Sequence, residues 1–241
     1  MAIKVSVVGA TGRMGKLALE LIEAAHDLEL HSALDSKSDA SLSDGADVIF
    51  EVTRLEVSQQ VVAKAIAAGQ KIVVGTSGWS AERLAELPAS LGESAVVVIP
   101  NFSVGSMLAT RFAAEAGKFF DSIEIVETHH AGKLDSPSGT AISTAKRMAS
   151  ASNSWAQDPT KHEAIVGARG AKGPGDIPIH AVRMRGVVAN QEVVLGTQGQ
   201  TLTIRHDTID RASFMPGVVL ACKKIAEHKG FTLGLDKFLE I

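Results

Sequence analysis

Ile3-Lys4-Val5-Ser6-Val7-Val8-Gly9-Ala10-Thr11-Gly12-Arg13-Met14-Gly15 is the stretch from which the class of the chain is read. A short run rich in β-branched residues ends at a glycine. Met14, Leu17, Leu21 and Ala25 then return at helical spacing. This is a strand, a glycine turn and a helix. Gly9 allows the tight turn, Gly12 a close backbone approach and Gly15 the packing of helix on strand. The N–H groups at such a helix start are open to an anion, and a pyrophosphate fits that description. The spacing is G-x-x-G-x-x-G, and a glycine triplet alone also describes a generic tight turn.

Working outward, Leu28–Leu34 reads as a second strand and ends at Asp35, twenty residues past Gly15. A carboxylate there can accept the adenine-side ribose hydroxyls of a dinucleotide, and it can equally cap its own turn. It repels a 2′-phosphate, whereas Lys37 after Ser36 offsets that repulsion. Use of both NADH and NADPH follows, with NADH favoured. Further on come a strand over 47–52, a helix over 55–68 stopped by Gly69, and the strand Lys71–Val74 running into Gly75-Thr76-Ser77-Gly78. A helix over 80–87, capped by Ser80 and stopped by Pro88, precedes a strand over 95–99 that ends at Pro100-Asn101. Regular alternation with continuously apolar strands predicts an α/β fold with a Rossmann-type, doubly wound parallel sheet. Ligands of such sheets sit beyond the carboxyl ends of the strands.

After Asn101 the pattern changes. A helix over 104–119 leads to a strand over 122–128, and the Gly- and Pro-rich stretch 167–176 reads as a long loop. Strands are expected over 177–187, 191–195 and 201–207. In the last, Thr201, Thr203 and Arg205 alternate with Leu202, Ile204 and His206, as in a half-buried antiparallel strand. A second α+β domain with an open mixed sheet is the expectation. The closing helix, 216–228, carries Val218, Val219, Cys222 and Ile225 on one face, which suits packing back on the first domain.

Bulk properties narrow the classes. The 241 residues are 45% hydrophobic and 21% charged with a net charge of −3, ordinary for a folded soluble protein. There is no basic block and no aromatic-plus-Arg stripe, so nucleic acid is a poor partner. The single cysteine, Cys222, excludes an intrachain disulfide and suits a reducing compartment. No leader-like start and no membrane-length apolar run is visible, and a cytoplasmic protein is expected.

The most informative segment is Glu127-Thr128-His129-His130-Ala131-Gly132-Lys133-Leu134-Asp135-Ser136-Pro137-Ser138-Gly139-Thr140-Ala141. It sets two histidines and a lysine on what reads as a loop before a helix that starts at Pro137 and Ser138. A carboxylate can bridge Ser138, Gly139 and Thr140, Lys133 can supply charge and His129 a proton. An exposed loop before an ordinary capped helix is the plain alternative. A metal site is disfavoured, with no cysteine nearby and no usual ligand spacing.

Together these motifs resemble the 4-hydroxy-tetrahydrodipicolinate reductases of lysine and diaminopimelate synthesis. The resemblance rests on V-x-G-x-x-G-R-M-G, G-T-S-G at Gly75, P-N-F-S-V-G at Pro100, E-x-H-H-x-x-K-x-D-x-P-S-G-T-A, and the late run Gly196-Thr197-Gln198-Gly199 with Arg211 to Phe214. It implies that Gly9, Ala10, Thr11, Gly12, Arg13 and Met14 hold the pyrophosphate of NADH or NADPH, and Asp35 the ribose. Gly75, Thr76, Ser77, Ile99, Pro100, Asn101 and Phe102 would line the nicotinamide side, with Arg211 and Phe214 as further contacts. His129 would donate a proton and Lys133 a second one. His130, Ser138, Gly139 and Thr140 would bind the carboxylates of a small dicarboxylate substrate. The family pattern implies a dinucleotide-binding domain over 1–102 and 213–241, and a substrate-binding domain over 103–212 that builds a homotetramer. The chain departs from the pattern at Glu51-Val52-Thr53, usually Asp-Phe-Thr/Ser, at Ser77, usually Thr, and at Ser36, often Arg.

Two rival readings share parts of this pattern. A phosphorylating semialdehyde dehydrogenase needs a thiol nucleophile, but Cys222 sits in an apolar helix and reads as a small hydrophobe. A non-catalytic nucleotide-binding regulator would keep the glycine turn, with no use for His129 and Lys133.

Overall fold

The computed structural model describes residues 2–239. They form two compact units, one taking the chain up to Val104 and again from Phe214, the other Gly105–Ser213.

The first unit opens with β1 (Ile3–Val8), α1 (Arg13–Ala24), β2 (Leu28–Leu34), β3 (Val48–Glu51), α2 (Leu55–Ala67), β4 (Lys71–Val74), α3 (Ala81–Ser90) and β5 (Ala95–Val98). Adjacent residues of its strands face opposite layers. Val5, Val7, Phe50, Val73 and Val97 bury into one core, and Ile49, Ile72, Val74, Val96 and Val98 into another. Apolar continuity along each strand is therefore the mark of a sheet covered on both sides. In α1 the fully buried stripe is Gly15, Ala18 and Ile22, with Met14, Leu17 and Leu21 only partly covered. The stripe is set one residue on from the large apolar positions because Gly15 lies against the strand turn. Pro88 does not stop α3, which continues to Ser90. A proline forfeits one backbone bond to the residue four earlier. With only two helical residues after it, that loss falls in the last turn, where the Ser90 hydroxyl donates to the Leu87 carbonyl at 2.9 Å.

The second unit is built from α4 (Val104–Ala116), β6 (Ser122–His130), α5 (Gly139–Ala151), β7 (Ala171–Lys172), β8 (Pro178–Met184), β9 (Ala189–Thr197) and β10 (Gln200–Thr208). Its sheet order is β10-β9-β6-β8-β7; β6 and β8 run parallel and the other neighbours antiparallel. Ile123, Ile125, Ile179, Val193 and Leu195 bury against Ala113, Ala114, Ala141, Ala145 and Met148 of α4 and α5. Only one face is covered in this way. Val182 and Met184, on the other, are 38% and 48% exposed. The stretch expected as one long loop, 167–176, contains the two-residue β7 and a 3₁₀ turn over Pro174–Asp176. Strand β10 is an edge strand, and its inward Leu202 stays 39% exposed, so its alternation is shallower than expected.

The chain then returns to the first unit through α6 (Met215–Ile225) and β11 (Gly230–Leu233). Val218, Cys222 and Ile225 of α6 are buried in the first core beside α1, as their spacing predicts. The strand β11 was not legible in the sequence; it completes a six-stranded, all-parallel sheet in the order β11-β5-β4-β3-β1-β2.

Candidate active site

The glycine turn and Asp35 follow the carboxyl ends of β1 and β2 in the first sheet. Gly9 has φ +94, and a Cβ there would stand 2.5 Å from the Val52 carbonyl oxygen. At Gly15 a Cβ would stand 2.2 Å from the Gly9 carbonyl oxygen. Neither position tolerates a side chain. Gly12 caps α1 with no side-chain bond, so the first helical N–H groups are left uncovered. The cradle fits a pyrophosphate. Ala10 is buried, Thr11 and Arg13 are exposed, and Met14 packs at the margin of the core. Asp35 follows β2 and turns its Oδ1 to the Lys37 N–H at 2.9 Å and the Ser38 hydroxyl at 3.0 Å. The Lys37 N–H and Ser38 hydroxyl hold this carboxyl below its ordinary range. It is an ionised turn cap just beyond the end of β2.

Beyond β4 and β5 the expected lining divides. A Cβ on Gly75 would meet Phe102 and Val52, each at 2.8 Å. Val52 thus fills part of the space where the family usually places an aromatic. Ile99 and Phe102 are buried, and the Phe102 ring stacks edge-on against Phe50 at 5.7 Å, so these two offer a ligand mainly their backbone. Pro100 and Ser77 are exposed, and Asn101 accepts the Ser103 N–H at 2.9 Å. Thr76 is buried: its hydroxyl donates to Glu51 at 2.8 Å and accepts the Thr53 N–H at 2.8 Å. Glu51 itself is fully buried, taking the Thr53 N–H at 2.6 Å and the Ser58 hydroxyl at 2.5 Å as well. The sequence marked Glu51 only as a departure; it ties the turns after β3 and β4 together. Arg211 and Phe214 bound one 3₁₀ turn, with Phe214 packed against the first core and Arg211 belonging to the second unit.

In the second unit the histidines are not on a loop. Strand β6 continues through His130, and His129 pairs across to Arg183 of β8 and Ala189 of β9. Period-two alternation puts Glu127, His129 and Arg183 on the sheet face that α5 covers. Glu127 is fully buried. Its Oε2 meets His129 Nδ1 at 2.5 Å and Arg183 Nη1 at 2.8 Å. Its Oε1 accepts Arg183 Nη2 at 2.9 Å and the Ser138 N–H at 3.0 Å. Burial pushes this carboxyl up, but Arg183, His129 and the Ser138 N–H together hold it below its ordinary value. Burial pushes His129 below the usual imidazole range, against the pull of Glu127. The pair is therefore carboxylate and neutral imidazole, with Nδ1–H donating and Nε2 left without a proton.

The turn after β6 brings Lys133 back, its N–H on the His130 carbonyl at 3.0 Å. Its ammonium is gripped by both Asp135 oxygens at 2.7 and 2.8 Å. Helix α5 begins at Gly139, with Pro137 outside it and Ser138 as its cap, the hydroxyl accepting the Ala141 N–H at 3.1 Å. Ser138 is buried, so its side chain serves the helix first. Gly139 and Thr140, the first two helical residues, present N–H groups without an acceptor inside the helix. Sequence reading passed over Arg183 and gave Glu127 no role. The register makes sense of both: Glu127 is two residues before His129 on one strand, and Arg183 stands opposite His129 on the next.

Among the described residues, no three His, Cys, Asp or Glu side chains cluster to hold a metal, and no helix is long and apolar enough to cross a membrane. Cys222 is fully buried, and burial pushes its thiol up to about 12, which makes it inert as a nucleophile.

Known proteins are similar to this chain over its whole length. The 4-hydroxy-tetrahydrodipicolinate reductase of Clavibacter sepedonicus is 48% identical over 244 residues, covering 100% of this chain and 87% of that protein. That of Corynebacterium aurimucosum is 46% identical over 247 residues, covering 99% of each. The solved structure of a dipicolinate-bound dihydrodipicolinate reductase from Paenisporosarcina sp. TG-14 superposes with a TM-score of 0.87 at 32% identity, over 99% of this chain and 100% of that one. Residues 3–102 match the family model for the dihydrodipicolinate reductase N-terminus, and residues 105–239 the model for its C-terminus. With the glycine cradle in the first match and the Glu127–His129–Lys133 segment in the second, the chain belongs to the dihydrodipicolinate reductase family.

Proposed function

We propose that the chain reduces 4-hydroxy-tetrahydrodipicolinate to tetrahydrodipicolinate, with loss of water, in lysine and diaminopimelate synthesis in the cytoplasm. The observation that carries this reading is the strand–turn–helix of the second unit. Within one short segment it supplies an oriented imidazole, an ammonium and the open N-terminus of α5. That is the equipment for a dicarboxylate that must receive a proton.

The nicotinamide cofactor, NADH or NADPH, supplies hydride when bound. Gly9, Ala10, Thr11, Gly12, Arg13 and Met14 hold its pyrophosphate without obstruction, and Asp35 its ribose. Gly75, Thr76, Ser77 and the backbone of Ile99, Pro100, Asn101 and Phe102 position the ring, with Arg211 and Phe214 as further contacts. In the second unit, Gly139 and Thr140 N–H groups, His130 and Lys133 neutralise the substrate carboxylates. Lys133 leaves Asp135 for a substrate carboxylate, exchanging one anion for another. His129 Nε2 delivers the proton that follows hydride arrival, and its imidazolium form is sheltered by Glu127. The open face of the second sheet assembles the chain into a homotetramer.

The test is direct. Purified protein with fresh 4-hydroxy-tetrahydrodipicolinate should oxidise NADH and NADPH, with NADH preferred. Tight NADH binding without oxidation would instead identify a nucleotide-binding regulator.

A further inference from the structure

We propose that Glu127 and Arg183 are positioning residues for the reduction, a buried carboxylate–guanidinium pair that locks His129 as its Nδ1–H tautomer and keeps Nε2 as the nitrogen that carries the transferred proton. This rests on the function proposed above and adds to it a device neither residue's sequence position announces.

The geometry leaves Glu127 little freedom. It has no exposure, and each of its oxygens takes two donors, at 2.5 and 2.8 Å on one and 2.9 and 3.0 Å on the other. Arg183 grips both oxygens in the fork arrangement, which fixes the plane of the carboxylate as well as its charge. The remaining N–H of each Arg183 terminal nitrogen is spent on backbone, Nη1 on the Val182 carbonyl at 2.8 Å and Nη2 on the Asp135 carbonyl at 2.7 Å. The second of these also fixes the turn that carries Lys133. One guanidinium therefore sets the imidazole, the start of α5 through Ser138, and the turn bearing the ammonium.

A carboxylate in that place can only accept. The imidazole must then present Nδ1–H to it, and Nε2 faces away with a lone pair. During turnover Nε2 takes a proton from solvent and gives it to the substrate carbon, and Nδ1–H stays on the imidazole throughout. Arg183 keeps Glu127 from capturing that proton, because a cation on both oxygens disfavours the neutral acid. The charged groups facing His129 are Glu127 on its own strand, Arg183 on β8, and Lys133 in the turn, itself paired to Asp135. Glu127 alone among them favours the imidazolium.

The experiment combines kinetics with long-range ¹H–¹⁵N NMR of the histidine rings in the NADH-bound protein. In the native protein His129 should show the pure Nδ1–H pattern when neutral. Glu127→Gln removes the anion, so the His129 titration should move to lower pH. The tautomer should become mixed, and kcat should fall about 10- to 100-fold with NADH affinity unchanged. Glu127→Asp keeps a charge beside Arg183 and so protects the fold, but its shorter side chain retreats from His129; it should give the same mixed tautomer and a comparable loss. Arg183→Lys should lower kcat less than Glu127→Gln. The proposal is overturned if either Glu127 variant keeps the pure tautomer, or if kcat falls while tautomer and titration stay native. Absence of any reductase activity in the native protein would defeat the functional reading separately, since the NMR readout needs no turnover.

Discussion

At the residue scale the proposed function gives three side chains different duties. In the proposed reading His129 delivers a proton and has no part in holding the cofactor. His129→Gln should lower kcat about 100-fold and leave the NADH dissociation constant within error in a fluorescence titration. A parallel loss of NADH binding would remove His129 from the proton role. The proposed role of Lys133 is to neutralise substrate charge, so Lys133→Ala should both raise KM and lower kcat, and a variant with near-native constants would place Lys133 outside the site. In the same reading Asp35 selects the cofactor. Its carboxyl is kept ionised by the Lys37 N–H and the Ser38 hydroxyl, and an anion there opposes a 2′-phosphate. Asp35→Asn should shift the ratio of kcat/KM values toward NADPH by about tenfold. Steady-state kinetics with both cofactors checks this, and an unchanged ratio would mean that Asp35 serves only its own turn.

At the element scale, α6 shows how far sequence reaches. The spacing of Val218, Cys222 and Ile225 was enough to assign a helix that packs on the first sheet, because a buried stripe at period 3.6 is a local property. Strand β11 was not legible: Gly-Phe-Thr-Leu is too short to show a period, and only its partner β5 makes it a strand. His129 and His130 were misplaced for a similar reason. Polar residues at a strand end look like loop, and the ladder to Ala189 and Arg183 that extends β6 lies far along the chain. Arg183 was hidden by that same distance, whereas Glu127, two residues before His129, was hidden because ending the strand at 128 left the two off a common face. The glycine turn, wholly local, was legible in the tight turn at Gly9 and the close packing at Gly15. The α6 packing has its own test. Ile225 is fully buried in the first core, so Ile225→Ala should cost about 2–5 kcal/mol in urea denaturation. Cys222 reports the same event, because its thiol, pushed up to about 12, should resist iodoacetamide in the native protein and react faster in that variant. Equal labelling rates would show that α6 does not depend on Ile225.

At the scale of the whole molecule, the two sheets are asymmetric in cover. Helices lie on both faces of the first, so it has no apolar face left to offer. The second is covered on one side only, by α4 and α5. Its other face carries Val182 and Met184, with Val126 and Val194 partly exposed beside them. A row of β-branched and thioether side chains on an antiparallel-edged sheet is costly to leave in water, and a second copy of the same face satisfies it. Charges of both signs flank it, Glu192 and Arg205 pairing at 3.2 Å, which suits a self-complementary contact. That contact closes at two copies, so the 25.2 kDa chain should sediment at least as a dimer, and as the proposed tetramer where two such pairs join. Met184→Glu places a buried charge in every copy of that contact, so sedimentation velocity should show smaller species while circular dichroism stays native. Since His129 and Arg183 occupy the opposite face of the same strands, dissociation should reduce turnover less than His129→Gln does. A variant that remains fully tetrameric would move the assembly surface elsewhere on the molecule.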